Sequence, residues 1–426
     1  MRSAATRTAR SSRPGNVFSN GRAGTRSVDL AIVGAGILGL AVARETLLRH
    51  PGLRVVALDK ESQIAAHQTG HNSGVIHAGV YYAPGSLKAR LCLQGAREMY
   101  AYCDENDIQY ERCGKVVVAS GEDELPRLGD LHRRAQLNGV PGIELLDGSA
   151  LAELEPHVQG VRALYSPSTG IVDFRQVANA LSTEVAARGG EIITRARVVA
   201  IKPERSMVEL RTAVDTWRAK TVITCAGVYA DHLARMTGAP AAPKIVPFRG
   251  TYYSLRPAAR SLVRGLVYPV PDPTFPFLGA HFTKQISGEV WTGPNAVLAF
   301  SRDGYRLRDI DVRELWETLS YPGFRALTTR YWRTGLAELR GEVSKRTFTR
   351  ALQRLVPAVR PEDLGESHAG VRAQALSEDG RLLDDFWFDH GERVIHVRNA
   401  PSPGATSSLA LAREVVQVAE RALATG

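Results

Sequence analysis

A glycine-rich turn near the amino terminus constrains the fold more than any other feature of the sequence. The turn reads Gly34-Ala-Gly-Ile-Leu-Gly39, follows an apolar run at 29–33 and precedes an apolar-periodic stretch at 40–48. A second apolar run at 53–58 ends at Asp59. This order predicts a buried parallel strand, a tight turn, a helix, a second strand and an acid, which together are typical of a site for an adenine dinucleotide.

Each glycine in the turn has a distinct physical role. Gly34 permits the tight turn, Gly36 lets the backbone approach a pyrophosphate, and Gly39 lets the helix pack closely on the strands. The amino terminus of the helix presents N–H groups and a partial positive charge to the phosphates. Asp59 lies 20 residues after Gly39, where its carboxylate accepts hydrogen bonds from ribose hydroxyls. The predicted cofactor contacts here are Gly34, Gly36, Ile37, Leu38, Gly39, Asp59 and Lys60.

The positive charge of the chain does not indicate a nucleic-acid partner. The 426 residues carry a net charge of +10, but six arginines precede the first acid, Asp29, and the remainder carries +4. There is no basic stripe with interleaved aromatic residues, so we predict no nucleic-acid binding. Residues 1–27 are predicted to form a basic, disordered leader, and a mitochondrial transit peptide is the alternative interpretation.

Membrane, disulfide and metal signals are weak in this sequence. No apolar stretch approaches the roughly 20 residues that cross a bilayer. The four cysteines form no C-x-x-C pair and match no zinc pattern, which favours a reducing compartment and predicts no metal site. We therefore predict a cytoplasmic protein without a transmembrane segment. Peripheral membrane contact stays open, although no clear amphipathic anchor is apparent.

A polar segment with several glycines, HQTGHNSGVIHAGVYYAPGSLKA at 67–89, identifies the family. It reads as an irregular loop leading into a helix, and it resembles the L-2-hydroxyglutarate oxidase or dehydrogenase family. That family belongs to the glycine-oxidase and D-amino-acid-oxidase superfamily of FAD enzymes. The resemblance runs from about residue 28 to the carboxyl terminus. It is also carried by Pro247-Phe-Arg-Gly250, Tyr268-Pro-Val-Pro-Asp-Pro273, Gly293-Pro-Asn-Ala-Val-Leu-Ala-Phe300, Ala369-Gly-Val-Arg-Ala-Gln374 and Asn399-Ala-Pro-Ser-Pro403.

The resemblance implies an α/β fold with two interleaved domains. A Rossmann-type FAD-binding domain is expected at 28–110, 150–240 and 355–426. A smaller substrate domain built on an antiparallel sheet is expected at 111–149 and 241–354. Further FAD contacts are implied at His71, Asn72, Ser73, Gly74, Val198, Ala226, Gly227, Gly370, Arg372, Pro403, Gly404, Ala405 and Thr406.

The reaction implied by the resemblance is oxidation of L-2-hydroxyglutarate to 2-oxoglutarate, with C2–H leaving as a hydride to flavin N5. The hydroxyl proton needs a base, and a histidine suits this role because its ordinary pKa leaves it largely neutral near pH 7. His77, in the loop expected near the flavin, is the first candidate. His281, on an expected strand of the substrate domain, is the second, while His67 and His71 are expected to organise the cofactor loop.

The two carboxylates of such a substrate need cationic or hydroxyl partners. Arginine binds a carboxylate through two parallel hydrogen bonds. We predict Arg372, in a Gly-Val-Arg turn that the resemblance places over the flavin, for one carboxylate, and Arg249, which follows a strand-ending Pro-Phe pair, for the other. The alternative for Arg249 is a surface or interdomain salt bridge. Hydroxyl donors are expected from Tyr252, Tyr268 and Tyr81.

Several functional alternatives stay open at this point. A related FAD enzyme acting on glycerol 3-phosphate or another 2-hydroxy acid would carry the same arginines, and a flavin-binding module without turnover would carry the same fold. The partner that receives the electrons is not identified by the sequence: oxygen, a quinone and a carrier protein all remain.

Overall fold

The predicted strand, turn, helix and strand open the structure. The computed structural model describes residues 24–272, 279–293 and 296–424. Most of the predicted leader, as well as Pro273, Pro294 and Asn295 of the quoted motifs, lies outside the described residues. The first strand begins at Thr25, inside the segment predicted as leader.

The described residues form twenty strands and ten α-helices. The strands are β1 Thr25–Val33, β2 Val55–Leu58, β3 Val75–Ile76, β4 Tyr110–Glu111, β5 Lys115–Ala119, β6 Glu144–Asp147, β7 Arg162–Ser166, β8 Gly170–Val172, β9 Glu191–Ile193, β10 Val198–Pro203, β11 Val208–Thr212, β12 Thr216–Thr224, β13 Lys244–Leu255, β14 Leu266–Pro269, β15 His281–Lys284, β16 Val290–Gly293, β17 Val297–Leu298, β18 Leu364–Leu376, β19 Trp387–His390 and β20 Val394–Asn399. The helices are α1 Ile37–Arg49, α2 Leu87–Glu105, α3 Leu125–Leu137, α4 Gly148–Leu154, α5 Phe174–Ala187, α6 Ala230–Met236, α7 Val312–Leu319, α8 Pro322–Val343, α9 Lys345–Leu352 and α10 Ser408–Ala424.

The first sheet carries the glycine turn. Its strand order is β10-β11-β12-β1-β2-β9, and β20 pairs with β12. Strand β1 runs parallel to both β12 and β2. Leu30 and Ile32 pack into a core with α1, whereas Ala31 and Val33 pack into a second core with β10 and β11. Burial on both faces explains the continuous apolar run of this strand.

The second sheet has the order β17-β13-β16-β15-β14-β5-β7-β6, with β18 paired to β13. Most of its pairs are antiparallel, and β5 with β14 is parallel. Strands β7 and β18 belong to this sheet, although they fall in ranges predicted for the cofactor-binding domain. The third sheet, β3-β8-β4, has strands of two or three residues, which are too short to produce a sequence period.

None of the helices in the described part of the chain is long and apolar enough to cross a membrane.

The glycine turn tolerates no side chain at two of its positions. Gly34 has a φ of 112°, and a Cβ there would lie 2.3 Å from the Cys225 carbonyl oxygen. A Cβ on Gly39 would lie 1.9 Å from the carbonyl oxygen of Gly34. Both contacts are with backbone atoms, which cannot rotate away, so α1 reaches its position on the sheet only with glycine at both sites.

This geometry predicts that Gly39→Ala destabilises the protein by about 1–3 kcal/mol and lowers the amount of cofactor that it retains, because the turn must open to admit the methyl group. Gly129→Ala is the matched control, since Gly129 lies on an exposed part of α3 with nothing within 4 Å of the added carbon. There alanine should add about 0.5–1 kcal/mol of stability. Chemical unfolding of the two variants measures both effects, and equal stability for both would contradict the steric explanation.

Candidate functional site

One large cavity brings most of the predicted site residues together. Its volume is about 1520 Å³, larger than the roughly 300–1,000 Å³ typical of a site for one small ligand. The predicted catalytic and substrate residues that line it are His77, His281, Arg372, Tyr252, Tyr268 and Tyr81. The predicted cofactor contacts that line it are Gly34, Gly36, Ile37, Leu38, Asp59, Lys60, His71, Asn72, Ser73, Val198, Ala226, Gly227, Gly370, Pro403, Gly404, Ala405 and Thr406. Gly39, Gly74 and Arg249 do not line it.

At one end of the cavity, the glycine turn is held by Asp59. Its Oδ2 accepts a hydrogen bond from the Ala35 amide at 2.7 Å, and its Oδ1 accepts one from the Glu61 amide at 2.9 Å. The Ile37 amide donates to Thr69 Oγ1 at 3.0 Å, a contact that sequence reasoning did not identify. The first turn of α1 contains no acid, and its N-cap is Gly36. The donors and charge at this end therefore suit a pyrophosphate, with a carboxylate placed beside it for a ribose.

A charged cluster lies next to Asp59. The Lys60 ammonium pairs with the Glu61 carboxylate and with Asp303 at 2.8 Å, and His67 Nε2 lies 2.8 Å from Glu61 Oε1. Glu61, His67 and Asp303 are close enough together to ligate one metal ion. The Lys60 ammonium already pairs with both carboxylates, so we interpret this cluster as a support for the cofactor loop.

The loop at 67–77 is ordered by its own polar groups. Asn72 Nδ2 donates to the carbonyl of Thr69 at 2.7 Å, and its Oδ1 accepts from the Gly74 amide at 2.8 Å. Gly74 has a φ of 69°, and a Cβ there would lie 2.8 Å from the Val172 carbonyl oxygen. Gly74 therefore has a conformational role, which explains why it is absent from the cavity wall.

The carboxyl-terminal turn ties this loop in place. Thr406 Oγ1 accepts from the His77 amide at 3.1 Å and donates to the Val75 carbonyl at 3.2 Å. Helix α10 begins only at Ser408, and residues 404–406 form the preceding turn. The Gly404 amide in this turn donates to the Pro401 carbonyl at 2.7 Å. Thr406 is thus a link between two segments rather than a plain helix cap.

His281 is held in one orientation and one tautomer. Its ring is stacked on that of Tyr268, with centroids 3.9 Å apart, and Nδ1 donates to the Gly279 carbonyl at 2.8 Å. A neutral imidazole that donates through Nδ1 carries its lone pair on Nε2. Nε2 has no hydrogen-bond partner among the described residues. Burial, together with the charges of Arg372 and Lys115, lowers the pKa of His281 to about 3, although the Gly279 bond acts in the opposite direction.

His77 has a similar electrostatic environment. Its Nε2 lies 3.4 Å from Ser402 Oγ, and its Nδ1 is buried without a partner among the described residues. Burial lowers the pKa of His77 to about 3, with additional effects from Lys115, Lys88 and His281. Both imidazoles are therefore neutral near pH 7 and able to accept a proton.

The two predicted arginines lie on opposite faces of the second sheet. Arg372 is paired with Phe248, and Tyr252 is paired with His368. Residues directly opposite each other share a face and side chains alternate along a strand, so Arg372 and Tyr252 share one face and Arg249 lies on the other. Arg249 Nε donates to the Tyr305 carbonyl at 2.9 Å. The structure thus does not bring Arg249 to the cavity.

The local conformations predicted for these two arginines also need correction. Arg372 was expected in a turn, but it lies inside the 13-residue strand β18, which pairs with β13 over nearly its whole length. Arg249 was expected after the end of a strand, but it lies in the middle of β13. Pairing between segments more than a hundred residues apart overrode the local glycine signals in both cases.

Two tyrosine hydroxyls and Lys88 complete the wall near the histidines, and Lys115 packs against the two tyrosine rings. The Tyr81 hydroxyl is buried without a partner among the described residues, and the Tyr268 hydroxyl lies 3.4 Å from Thr283 Oγ1. Lys88 lines the cavity and pairs with Asp384 at 2.7 Å. Lys115 lies beneath the two tyrosine rings. The sequence analysis assigned no role to either lysine. The sequence feature that could have identified Lys115 is its place as a charged residue at the start of an apolar strand.

Comparison with known proteins gives concordant matches over nearly the whole chain. A family model described as FAD dependent oxidoreductase matches residues 29–418. The chain is 48% identical over 413 residues to a Nematostella vectensis protein named L-2-hydroxyglutarate dehydrogenase, mitochondrial, covering 92% of this chain and 91% of that protein. It is 44% identical over 387 residues to the L-2-hydroxyglutarate dehydrogenase of Indibacter alkaliphilus, covering 91% and 97%.

A solved structure confirms the predicted fold class. The dithionite-reduced L-alpha-glycerophosphate oxidase from Mycoplasma pneumoniae, with FAD bound, is similar with a TM-score of 0.76. The two chains are 22% identical, and the match covers 93% of this chain and 95% of that one. At this identity the likeness concerns the fold alone.

The buried histidines predict how stability depends on pH. The pKa values of His77, His281 and His396 are lowered by burial to about 3, 3 and 4. Unfolded histidines have a pKa near 6.5, so between about pH 6.5 and 4 the unfolded state binds more protons. The free energy of unfolding should therefore fall as pH is lowered through this window, by up to about 1.4 kcal/mol per pH unit for each histidine.

Urea unfolding between pH 4.5 and 7 measures this slope. His396→Gln isolates one contribution, because His396 is held by Thr224 and Thr237 at 2.9 and 2.8 Å and does not line the cavity. The slope should decrease in this variant by up to about 1.4 kcal/mol per pH unit. An unchanged slope would show that His396 does not titrate as its burial indicates.

Proposed function

Because the chain belongs to the FAD dependent oxidoreductase family, together with the L-2-hydroxyglutarate dehydrogenases that it matches at 44–48% identity, we propose that it oxidises L-2-hydroxyglutarate to 2-oxoglutarate. FAD is the cofactor of this family, which confirms the predicted cofactor. The observation that supports the substrate best is the cavity wall itself. It combines two neutral histidines with Arg372 and three tyrosines, which suits an alcohol that carries carboxylates.

The residues at the other end of the cavity fit FAD. The Gly34–Gly39 turn would hold the pyrophosphate and Asp59 the ribose, while Val198, Ala226 and Gly227 would border the adenine half. Gly370 and residues 403–406 would border the flavin. A Cβ on Gly370 would lie 2.6 Å from the His71 carbonyl oxygen, so this part of the wall has no room for a side chain. When bound, FAD supplies the acceptor for the hydride that leaves C2.

The protein's own part in the reaction is to take the hydroxyl proton and to orient the alcohol. As the C2–H bond breaks and the C2–O bond becomes a carbonyl, the O–H proton passes to an imidazole. We assign this proton to His281 Nε2, since the Nδ1 bond to Gly279 directs the lone pair of Nε2 away from the backbone. We also assign His77 to a hydrogen bond with the substrate alcohol, which it would approach from the loop at 67–77, because its buried Nδ1 has no partner among the described residues.

Arg372 is the residue that we propose for one substrate carboxylate. A guanidinium binds a carboxylate with two parallel hydrogen bonds and fixes its orientation. The hydroxyls of Tyr81, Tyr252 and Tyr268 are proposed as donors to the remaining oxygens. Arg249 is not carried into this proposal, because it does not line the cavity.

The electron acceptor and the place of action are further proposals. Oxygen consumption would identify oxygen as the acceptor, and reduction of a soluble quinone would identify a quinone. Neither result would favour a carrier protein.

We propose a cytoplasmic protein with peripheral membrane contact, and mitochondrial import is the alternative, as the name of the Nematostella relative indicates. Peripheral contact is supported by α7, where Val312, Trp316 and Leu319 share one face and are 77%, 68% and 43% exposed.

Anaerobic mixing with L-2-hydroxyglutarate tests the proposed reaction. The yellow absorbance of bound FAD should bleach with the L isomer much faster than with D-2-hydroxyglutarate or glycerol 3-phosphate, because Arg372 and the histidines present one face of C2. Faster bleaching with glycerol 3-phosphate would favour a glycerophosphate enzyme. No bleaching with any of the three would favour a flavin-binding module without turnover.

Arg372→Lys is predicted to raise the KM for L-2-hydroxyglutarate by about tenfold or more, because lysine cannot reproduce the two parallel hydrogen bonds and a charge-assisted hydrogen bond contributes about 1.5–3 kcal/mol. Steady-state kinetics with the FAD-loaded protein measures the change. Arg256→Lys, an exposed position directly after β13, is the matched control and should leave KM unchanged. An unchanged KM in Arg372→Lys would remove Arg372 from the substrate site.

A further inference from the structure

Lys115 is a buried cation without a counter-ion among the described residues. It is the first residue of β5, and its side chain is among the largest fully buried ones, with 1% of the residue exposed. The remaining residues of the strand are three valines and an alanine, all buried. The Lys115 ammonium forms no ion pair with a carboxylate of the described residues. A buried charge is costly unless it is compensated, so its retention in an apolar strand requires an explanation.

The ammonium is placed against two aromatic rings of the cavity wall. Its nitrogen lies 4.4 Å from the ring centroid of Tyr81 and 5.2 Å from that of Tyr268. Both distances are within the range of a cation–π interaction. The register of β5 and β14 produces this arrangement, because Lys115 is opposite Leu266 and Val117 is opposite Tyr268, which places Lys115 and Tyr268 on the same face.

The contacts continue from Lys115 to the histidines. Tyr268 contacts both the Lys115 ammonium and the stacked ring of His281. The charge of Lys115 acts on both His77 and His281 and opposes their protonation. Burial lowers the pKa of Lys115 to about 8, so most of it is charged at pH 7.

The other titratable groups around this position do not supply a negative charge near pH 7. Cys92, on α2, has a pKa raised by burial to about 12 and is a neutral thiol. Burial also raises the pKa values of Tyr81 and Tyr268. The remaining charged groups that act on the two histidines are Lys88 for His77 and Arg372 for His281, and both are cations.

We propose that Lys115 is a positioning residue for the catalytic histidines: its ammonium, packed against Tyr81 and Tyr268 with no counter-ion among the described residues, holds the Tyr268 ring against His281 and adds its positive charge to the effect of burial on His77 and His281. The inference rests on the proposed function in one respect, which is that these histidines take the proton of the substrate alcohol. A neutral imidazole has a lone pair for that proton, whereas an imidazolium has none. Removing the charge should therefore make the histidines easier to protonate, and the enzyme should lose activity at a higher pH.

Lys115→Met and Lys115→Arg test the role of the charge in the FAD-loaded protein. Methionine keeps the length and apolar stem of the side chain without the charge, and arginine keeps the charge. In Lys115→Met the acid limb of kcat/KM should move to higher pH by about one unit or more, the size of effect that a nearby charge has on an imidazole. In Lys115→Arg the limb should stay near its original position. Lys345→Met is the matched control, because the ammonium of Lys345 also packs over a tyrosine, Tyr253 at 5.3 Å, but on an exposed residue outside the cavity wall.

A second measurement does not depend on turnover. Proteins with ¹⁵N-labelled histidine are titrated by NMR, and the signals of His77 and His281 are assigned through His77→Gln and His281→Gln. Both signals should report protonation at higher pH in Lys115→Met than in the parent, in Lys115→Arg or in Lys345→Met. This result would support the inference even if L-2-hydroxyglutarate failed to bleach the flavin, so the two proposals fail separately.

The parent protein provides a test that does not require the variants to fold. Between pH 7 and 10 the signals of His77 and His281 should show an inflection near pH 8, where Lys115 loses its proton. An acid limb and histidine titrations that are the same in Lys115→Met and the parent would overturn the proposal and leave Lys115 a packing residue. The absence of an inflection near pH 8 in the parent would overturn it equally.

Discussion

The pairing of β13 with β18 is the constraint on which the arrangement of the candidate site depends. The register is continuous from Lys244 opposite Leu376 to Tyr253 opposite Ser367. It turns Arg372 and Tyr252 towards one face of the sheet and Arg249 towards the other. Because side chains alternate with a period of two, a slip of one residue would exchange the two faces. Which side chains β13 and β18 contribute to the cavity wall is therefore a consequence of register rather than of a local motif.

The two ends of the cavity differ in charge, and this difference organises the chemistry. Near the glycine turn, the Asp59 carboxylate offers an acceptor for ribose hydroxyls. Around the histidines, the charged groups that affect their protonation are Lys115, Lys88 and Arg372. Burial and these cations act in the same direction, since each disfavours a second positive charge on an imidazole. Neutral bases and a binding site for carboxylates thus arise from one electrostatic environment.

Much of the local structure could be predicted from the sequence because it depends on neighbouring residues. Helices α2 and α5 begin after Ser86 and Asp173, whose side chains accept hydrogen bonds as N-caps, and residues of these types are a local signal for the start of a helix. Strand β5 coincides with an apolar run of three valines and an alanine after Lys115. The short strands of the third sheet were not predicted, because two or three residues carry no periodic signal. The turn expected around Arg372 is a strand, because pairing with β13 outweighs the local preference of Gly370.

The sequence alone determined the dinucleotide turn, the family resemblance and the set of polar residues from which a site can be built, since these depend on residue types at fixed spacing. Only the tertiary structure decided that Arg249 lies away from the cavity and that Lys115 lies beneath Tyr81 and Tyr268. It also decided that His281 donates through Nδ1 and that His77 and His281 share an environment of cations. The physical reason is that faces, burial and electrostatic neighbours are set by segments far apart in the chain, and strand pairing alone brings those segments together.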